Sequence, residues 1–172
     1  NAEGIENLDE ILEVADGIMV ARGDLGVEIP AEEVPYIQKM MINKCKACFK
    51  PVITATQMLD SMIQYPRPTR AEISDVANAV YDGTSAVMLS GETAAGAFPV
   101  QSVDAMARIV AQAETHTEYI QTIDNFEIKT TAEALSHSAA TLAKDLKASA
   151  IVVCTRTGAT ARKVSRFRPN IN

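Results

Sequence analysis

From Asp16 the chain runs Asp16-Gly-Ile-Met-Val-Ala-Arg-Gly-Asp24-Leu-Gly-Val-Glu-Ile-Pro30. Its apolar run, residues 18–21, is short and uninterrupted, the pattern of a strand buried on both faces. The run stops at Arg22-Gly23-Asp24, and a helix is expected to open near Pro30. A carboxylate at the carboxyl end of a buried parallel strand, beside a glycine that admits a ligand to the backbone, is where α/β proteins place chemistry. Capping of a turn is the other reading of Asp24.

The arrangement recurs twice. Residues 51–56, Pro-Val-Ile-Thr-Ala-Thr, read as a second strand and residues 85–90, Ser-Ala-Val-Met-Leu-Ser, as a third. Each ends in small polar residues, Thr54 and Thr56 in one case and Ser90-Gly-Glu92 in the other. Strand tips near residues 22, 56 and 90 therefore repeat at about 34 residues. Helical periodicity covers residues 5–14, 30–49 and 100–120, and residues 57–63 suit a helical turn. Tyr65-Pro-Arg-Pro68 breaks that turn, and Thr69 with Glu72 forms a capping box for a helix running past Val80. Three strand–helix units imply parallel strands joined by right-handed crossovers. The fold class is α/β: three units of a partial TIM (β/α)8 barrel, whose strand tips would converge on one rim.

Residues 121–130 are polar and suit a linker. Beyond it, residues 131–146 read as a helix, 148–155 as a strand and 158–167 as a helix. The expected organisation is residues 1–120 as the barrel portion and 121–172 as the start of a smaller α/β domain.

Bulk properties narrow the class. Across 172 residues, 47% are hydrophobic and 22% charged, which is globular and not disordered. A net charge of −6 argues against a general nucleic-acid binder. No apolar run reaches the length of a membrane span, no signal peptide is evident, and a start at Asn1 without Met reads as a fragment or processed piece. Three cysteines suit a reducing cytoplasm and not a disulfide framework. Cys45-Lys-Ala-Cys48 lacks the further ligands that a zinc or redox site needs, and is read as coincidental spacing.

Asp24 is the best-placed metal ligand, with Glu92 as one possible second carboxylate. Arg22-Gly-Asp24 matches a cell-adhesion tripeptide, a reading that the acidic, cysteine-poor composition disfavours. Thr56 either hydrogen-bonds a substrate or passes a proton through water, or it satisfies its own strand backbone. Ser90 and Glu92 carry the same two readings. Arg67 and Arg70 flank the proline bend, as a solvated face or an interface. Thr155-Arg-Thr-Gly158-Ala-Thr160 opens a helix with hydroxyls and a glycine, and binds phosphate or is an ordinary cap. Neither a dinucleotide fingerprint nor a P-loop is present, and His116 and His137 read as helix-surface residues.

Gly17-Ile-Met-Val-Ala-Arg-Gly-Asp-Leu-Gly26, Ala55-Thr-Gln-Met58, Pro66-Arg-Pro-Thr-Arg-Ala-Glu72, Asp75-Val-Ala-Asn-Ala-Val80 and Met88-Leu-Ser-Gly-Glu-Thr93 together resemble the pyruvate kinase family, in order and spacing. The resemblance covers essentially the whole chain: the last three β/α units of the catalytic barrel, then the start of the C-terminal regulatory domain. It implies phosphoryl transfer from phosphoenolpyruvate to ADP, giving pyruvate and ATP, with Mg²⁺ or Mn²⁺ and K⁺, in a cytoplasmic homotetramer. By resemblance Asp24 binds the metal, the backbone of Gly23 and Asp24 meets the substrate carboxylate, and Thr56 contacts substrate. Ser90 and Glu92 would take part in hydrogen bonding or proton relay, and Arg70 would reach across a subunit interface. Thr155, Thr157, Gly158 and Thr160 would grip the phosphate of an allosteric effector. The family's Lys-Ile-Glu motif lies just before Asn1, so this chain by itself is expected to be inactive. Two alternatives are a related phosphoenolpyruvate/pyruvate-barrel lyase and a non-catalytic fragment that binds a phosphorylated effector and a partner subunit.

Overall fold

The computed structural model describes residues 2–116, 128, 130–167, 169 and 171. The expected linker lies largely outside them, while the helix anticipated to residue 120 ends at Glu114 with Thr115 as its C-cap. The chain divides into two compact units, Asn1–Gln121 and Thr122–Asn172.

In the first unit, strands β1 (Ile18–Ala21), β2 (Val52–Ala55) and β3 (Ala86–Met88) form a parallel sheet in that order. Ile18 pairs with Val52 and Ala21 with Ala55, and Ala55 in turn pairs with Met88. All three strands thus end level, and the segments leaving them start side by side. Helices α1 (Ala2–Glu6) and α2 (Leu8–Val14) precede β1; α3 (Arg22–Glu28) and α4 (Val34–Ala47) follow it; α5 (Arg70–Asp82) follows β2; α6 (Gly91–Ala94) and α7 (Pro99–Glu114) follow β3.

Apolar side chains at strand and helix spacing build two cores. Val20 and Val52 pack with Leu8, Leu12, Leu25, Ile37, Met41, Ile42 and Cys45. Met58, Leu59 and Met62 pack with Val76, Ala79, Ala105 and Met106, and Val87 and Leu89 of the third strand region join them. Beneath β2 a buried hydroxyl pair is satisfied: Thr54 Oγ1 donates to Thr84 Oγ1 at 2.9 Å, and Thr84 Oγ1 lies 3.1 Å from Val52 O.

Several expectations need correction. Strand β1 is not buried on both faces: Val20 is fully buried while Met19 is 46% exposed. Alternation puts Val20 on the helix-covered face and Met19 on the opposite one. Residues 22–28, expected as a break, form α3 despite Gly23 and Gly26, because Leu25 is buried in the core. The first helix breaks at Asn7 into two. Among the described residues, 148–155 form no strand. An apolar run becomes a strand where a neighbour pairs with its backbone.

The proline bend behaves as read. Thr69 Oγ1 accepts from Glu72 N at 3.2 Å, and Glu72 accepts from Thr69 N at 2.7 Å, a complete capping box. Helix α5 ends at Gly83 in the left-handed conformation (φ 86°), where a side chain would be strained and would also meet Lys46 Nζ. Glu72 also receives Ser61 N at 2.7 Å and Ser61 Oγ at 2.6 Å, tying the helix start to the preceding turn. Burial pushes the Glu72 carboxyl up, but the hydrogen bonds from Ser61 and Thr69 outweigh it and hold it below its ordinary range.

A depressed folded pKa makes this contribution present above the unfolded value and lost as pH falls through the folded one. Glu72→Gln should therefore cost about 1 kcal/mol at neutral pH, the scale of losing a helix cap. Urea unfolding across pH should show the gap to the unsubstituted protein closing in acid. A gap that stays constant down the acid limb would contradict this account.

Candidate functional site

Arg22, Gly23 and Asp24 leave the carboxyl end of β1 as the first turn of α3. Thr56 and Gln57 leave the neighbouring end of β2, both with positive φ, 68° and 53°. The two segments are bonded directly. Gly23 N donates to Thr56 Oγ1 at 2.7 Å, and the Thr56 hydroxyl donates to Ala55 O at 2.6 Å. The backbone-satisfying reading of Thr56 holds in this structure: its hydroxyl donates to its own strand, and its oxygen also accepts from an amide of the neighbouring segment. A Cβ on Gly23 would come within 3.4 Å of Thr56 Oγ1, so glycine leaves this approach open.

Asp24 is exposed in the first turn of α3. Its carboxylate stands where a helix dipole favours an anion, and solvent can be replaced there by a cation or ligand. Among the described residues, no group of three or more His, Cys, Asp or Glu side chains is placed to hold a metal ion. A Mg²⁺ site needs one or two carboxylates with waters and substrate oxygens, and Asp24 is one exposed carboxylate of that type.

Glu92 is 1% exposed. Its Oε1 accepts from Leu59 N at 3.0 Å and its Oε2 from Ser90 N at 2.8 Å, with Ser90 Oγ at 3.5 Å. Rather than pointing a free carboxylate at the rim, it clamps the segment after β2 to the segment after β3. Ser90 sits at the start of α6 and directs its backbone N–H to the same carboxylate. The structure therefore joins Gly23 to Thr56 across the segments after β1 and β2, and Glu92 to Leu59 across those after β2 and β3, with Ser90 bound to Glu92 within its own loop.

Sequence reasoning missed Arg22 as a positioned group. Its guanidinium donates to Thr56 O at 3.1 and 2.8 Å, to Gln57 O at 3.0 Å, to Met58 Sδ at 2.8 Å and to Asp75 Oδ2 at 2.6 Å. With its side chain 10% exposed, Arg22 is not displayed as an adhesion tripeptide would require. The spacing of about 34 residues between Arg22 and Thr56 was the available signal, since parallel neighbours place such positions together. Cys45 is fully buried, and burial, with Cys48 beside it, pushes its thiol up to about 11 against the opposing charge of Lys50. Such a thiol is a poor nucleophile and redox partner at neutral pH.

In the second unit, Thr130 and Glu133 form a capping box for α8 (Thr131–Asp145), and α9 (Ala159–Ser165) packs against it with Lys163 3.5 Å from Glu133. Gly158 precedes α9 in the left-handed conformation (φ 78°). Thr155 Oγ1 accepts from Gly158 N at 3.1 Å and Thr157 Oγ1 from Ala159 N at 3.4 Å. Thr160 is exposed within α9. Arg70 is exposed at the first position of α5, and His116 and His137 are exposed, the latter with its ring 5.0 Å from Phe167. No helix among the described residues is long and apolar enough to cross a membrane.

The family model for the barrel domain of pyruvate kinase matches residues 1–103, the segment that carries all three strand ends. The chain belongs to the pyruvate kinase family. The family's alpha/beta domain model matches residues 133–172. Pyruvate kinase of Clostridium acetobutylicum is 57% identical across 98% of this chain, which covers 36% of that relative. The Geobacillus stearothermophilus pyruvate kinase is 58% identical across 98% of this chain and 29% of its own length. A crystal structure of pyruvate kinase from Cryptosporidium parvum superposes with a TM-score of 0.88 at 50% identity, over 99% of this chain and 36% of that one. The chain thus spans about a third of the length of the relatives it matches.

A test of the Glu92 clamp follows from its two amide donors. Glu92→Gln keeps the shape but offers one acceptor and an NH₂ where two N–H groups need oxygens. It should destabilise the protein by about 1–3 kcal/mol in urea unfolding, the cost of an unsatisfied buried donor. Stability unchanged within about 0.5 kcal/mol, the spread of neutral surface changes, would contradict the clamp.

Proposed function

We propose that this chain is the part of a pyruvate kinase that carries the last three β/α units of the catalytic barrel and the start of the C-terminal regulatory domain. The boundary is read near residues 120–121. The whole protein would transfer the phosphoryl group of phosphoenolpyruvate to ADP, giving pyruvate and ATP, in the cytoplasm and as a homotetramer. The observation that carries this reading is the contact of Gly23 N–H with the Thr56 hydroxyl, next to Asp24, inside the segment matched by the barrel-domain family.

The chemistry suits those groups. Phosphoryl transfer asks a protein for positioning and charge neutralisation more than for covalent participation. The Gly23 amide supplies a directed N–H to one oxygen of a substrate carboxylate. When that oxygen replaces Thr56 Oγ1 on the amide, the threonine hydroxyl is released toward the substrate. Asp24 would hold Mg²⁺ or Mn²⁺ together with ligands from elsewhere in the whole protein, and the ion would neutralise charge on substrate oxygens. Glu92 holds the Ser90 loop in place, and through it any proton relay involving Ser90 would be oriented. K⁺ ligands are read as lying outside this chain.

Two further assignments complete the proposal. Thr155, Thr157, Gly158 and Thr160 would grip the phosphate of an allosteric effector, since the two threonine oxygens already accept from amides at the start of α9. Arg70, exposed where α5 opens, would reach a neighbouring subunit.

Coupled assay of ATP formation from phosphoenolpyruvate, ADP and Mg²⁺ tests the reading. The whole protein should turn over, and Asp24→Asn should lower kcat on the order of 100-fold or more, the scale of losing one preorganised electrostatic group. The isolated 172-residue chain should show no turnover, because one carboxylate does not assemble the metal site. Turnover by the isolated chain, or full activity in Asp24→Asn, would refute it.

A further inference from the structure

Thr56 and Gln57 pose a question that the proposed chemistry does not answer. Both are non-glycine residues with positive φ, and the first is β-branched, for which that region is strongly disfavoured. Such strain persists where surrounding structure over-determines it. Here one side chain grips the carbonyls of both residues. The guanidinium of Arg22 reaches Thr56 O with two nitrogens, at 3.1 and 2.8 Å, and one of these also reaches Gln57 O at 3.0 Å and Met58 Sδ at 2.8 Å. The remaining nitrogen is neutralised by Asp75 Oδ2 of α5 at 2.6 Å. The fork therefore grips the carbonyls of both strained residues at once while its charge is met from behind.

The consequence lies on the other side of the same residue. Thr56, whose carbonyl Arg22 holds, presents its Oγ1 to Gly23 N at 2.7 Å, and Gly23 is the residue after Arg22. One arginine thus fixes the two halves of the site against each other. A lysine has a single head without the planar fork, and would not reproduce this set of contacts.

We infer that Arg22 is a positioning residue: it holds the Thr56–Gln57 backbone in its strained conformation, and so sets the Thr56 hydroxyl against the Gly23 amide, with Asp75 fixing the guanidinium. The inference rests on the phosphoryl-transfer reading above. Arg22 acts through Thr56 and does not itself meet the reacting atoms. A ligand oxygen that takes the Gly23 amide finds the threonine hydroxyl aimed in one direction because the carbonyl behind it cannot swing.

Steady-state kinetics of the whole protein test this with three variants. Arg22→Lys should lower kcat by about 10- to 100-fold, the scale of a displaced catalytic group, with KM for phosphoenolpyruvate changed about threefold or less. Guanidinium chloride at millimolar concentration should restore part of the kcat of Arg22→Ala, while equal sodium chloride should not. Asp75→Asn leaves the carbonyl contacts in place and should show a smaller fall, about threefold to tenfold, by the same reasoning. If the Arg22 variants do not fold, Asp75→Asn decides, and an unchanged kcat there overturns the inference. An Arg22→Lys kcat within twofold of the unsubstituted protein also overturns it, as does a loss explained by the unfolded fraction and unrelieved by guanidinium. If the unsubstituted whole protein forms no ATP from phosphoenolpyruvate, the functional reading itself falls. An active unsubstituted protein with insensitive variants removes the role of Arg22 and leaves that reading standing.

Discussion

The parallel ladder of β1, β2 and β3 is the constraint on which the rest depends. Its register pairs Ala21 with Ala55 and Ala55 with Met88, so three chain segments leave the sheet at one level. Parallel pairing also forces a crossover between strands, and the crossovers carry the helices whose apolar faces bury Val20 and Val52. A slip of one residue would send Val20 to the exposed face and Met19 into the core. It would also part Gly23 from Thr56. Packing of the core and construction of the site are therefore the same requirement seen from two ends of the strands.

Polar groups beyond the strand ends follow a division of labour. Arg22 and Glu92 point inward and hold backbone: the first grips carbonyls, the second grips amides. Asp24 points to solvent. A buried charge without partners would be costly, and each of the inward groups is met by several. The Asp24 carboxylate is exposed beside them. Rigid surroundings and an adaptable ligand position are what a site for a charged substrate requires.

Much of this was legible in the sequence, for identifiable reasons. The three strands announced themselves as short apolar runs ending in small polar residues, and Thr69 with Glu72 gave the start of α5 because capping is a local interaction. The recurrence at about 34 residues placed Gly23, Thr56 and Ser90 at successive strand ends. Helix α3 was hidden because Gly23 and Gly26 lower its intrinsic propensity, while its stability comes from burying Leu25. The positive φ of Thr56 and Gln57 could not be read, since their residue types argue against it and the arginine that holds them is 34 residues away. Glu92 was open to two readings, a second metal carboxylate or a group bound to its own backbone, and the amides that turn it inward come from its own loop and the loop after β2. Residues 148–155 show the converse error, an apolar run without the ladder that would make it a strand.

The proposed function puts Asp24 at a strand-end site shared with a divalent ion and phosphoenolpyruvate. Anomalous diffraction from crystals of the whole protein soaked with Mn²⁺ and phosphoenolpyruvate tests it most directly. A Mn²⁺ peak in direct ligation with an Asp24 carboxylate oxygen, with the substrate carboxylate on the Gly23 amide, is the expected result. A peak that leaves Asp24 out of coordination range, or substrate seated away from Gly23, would contradict it.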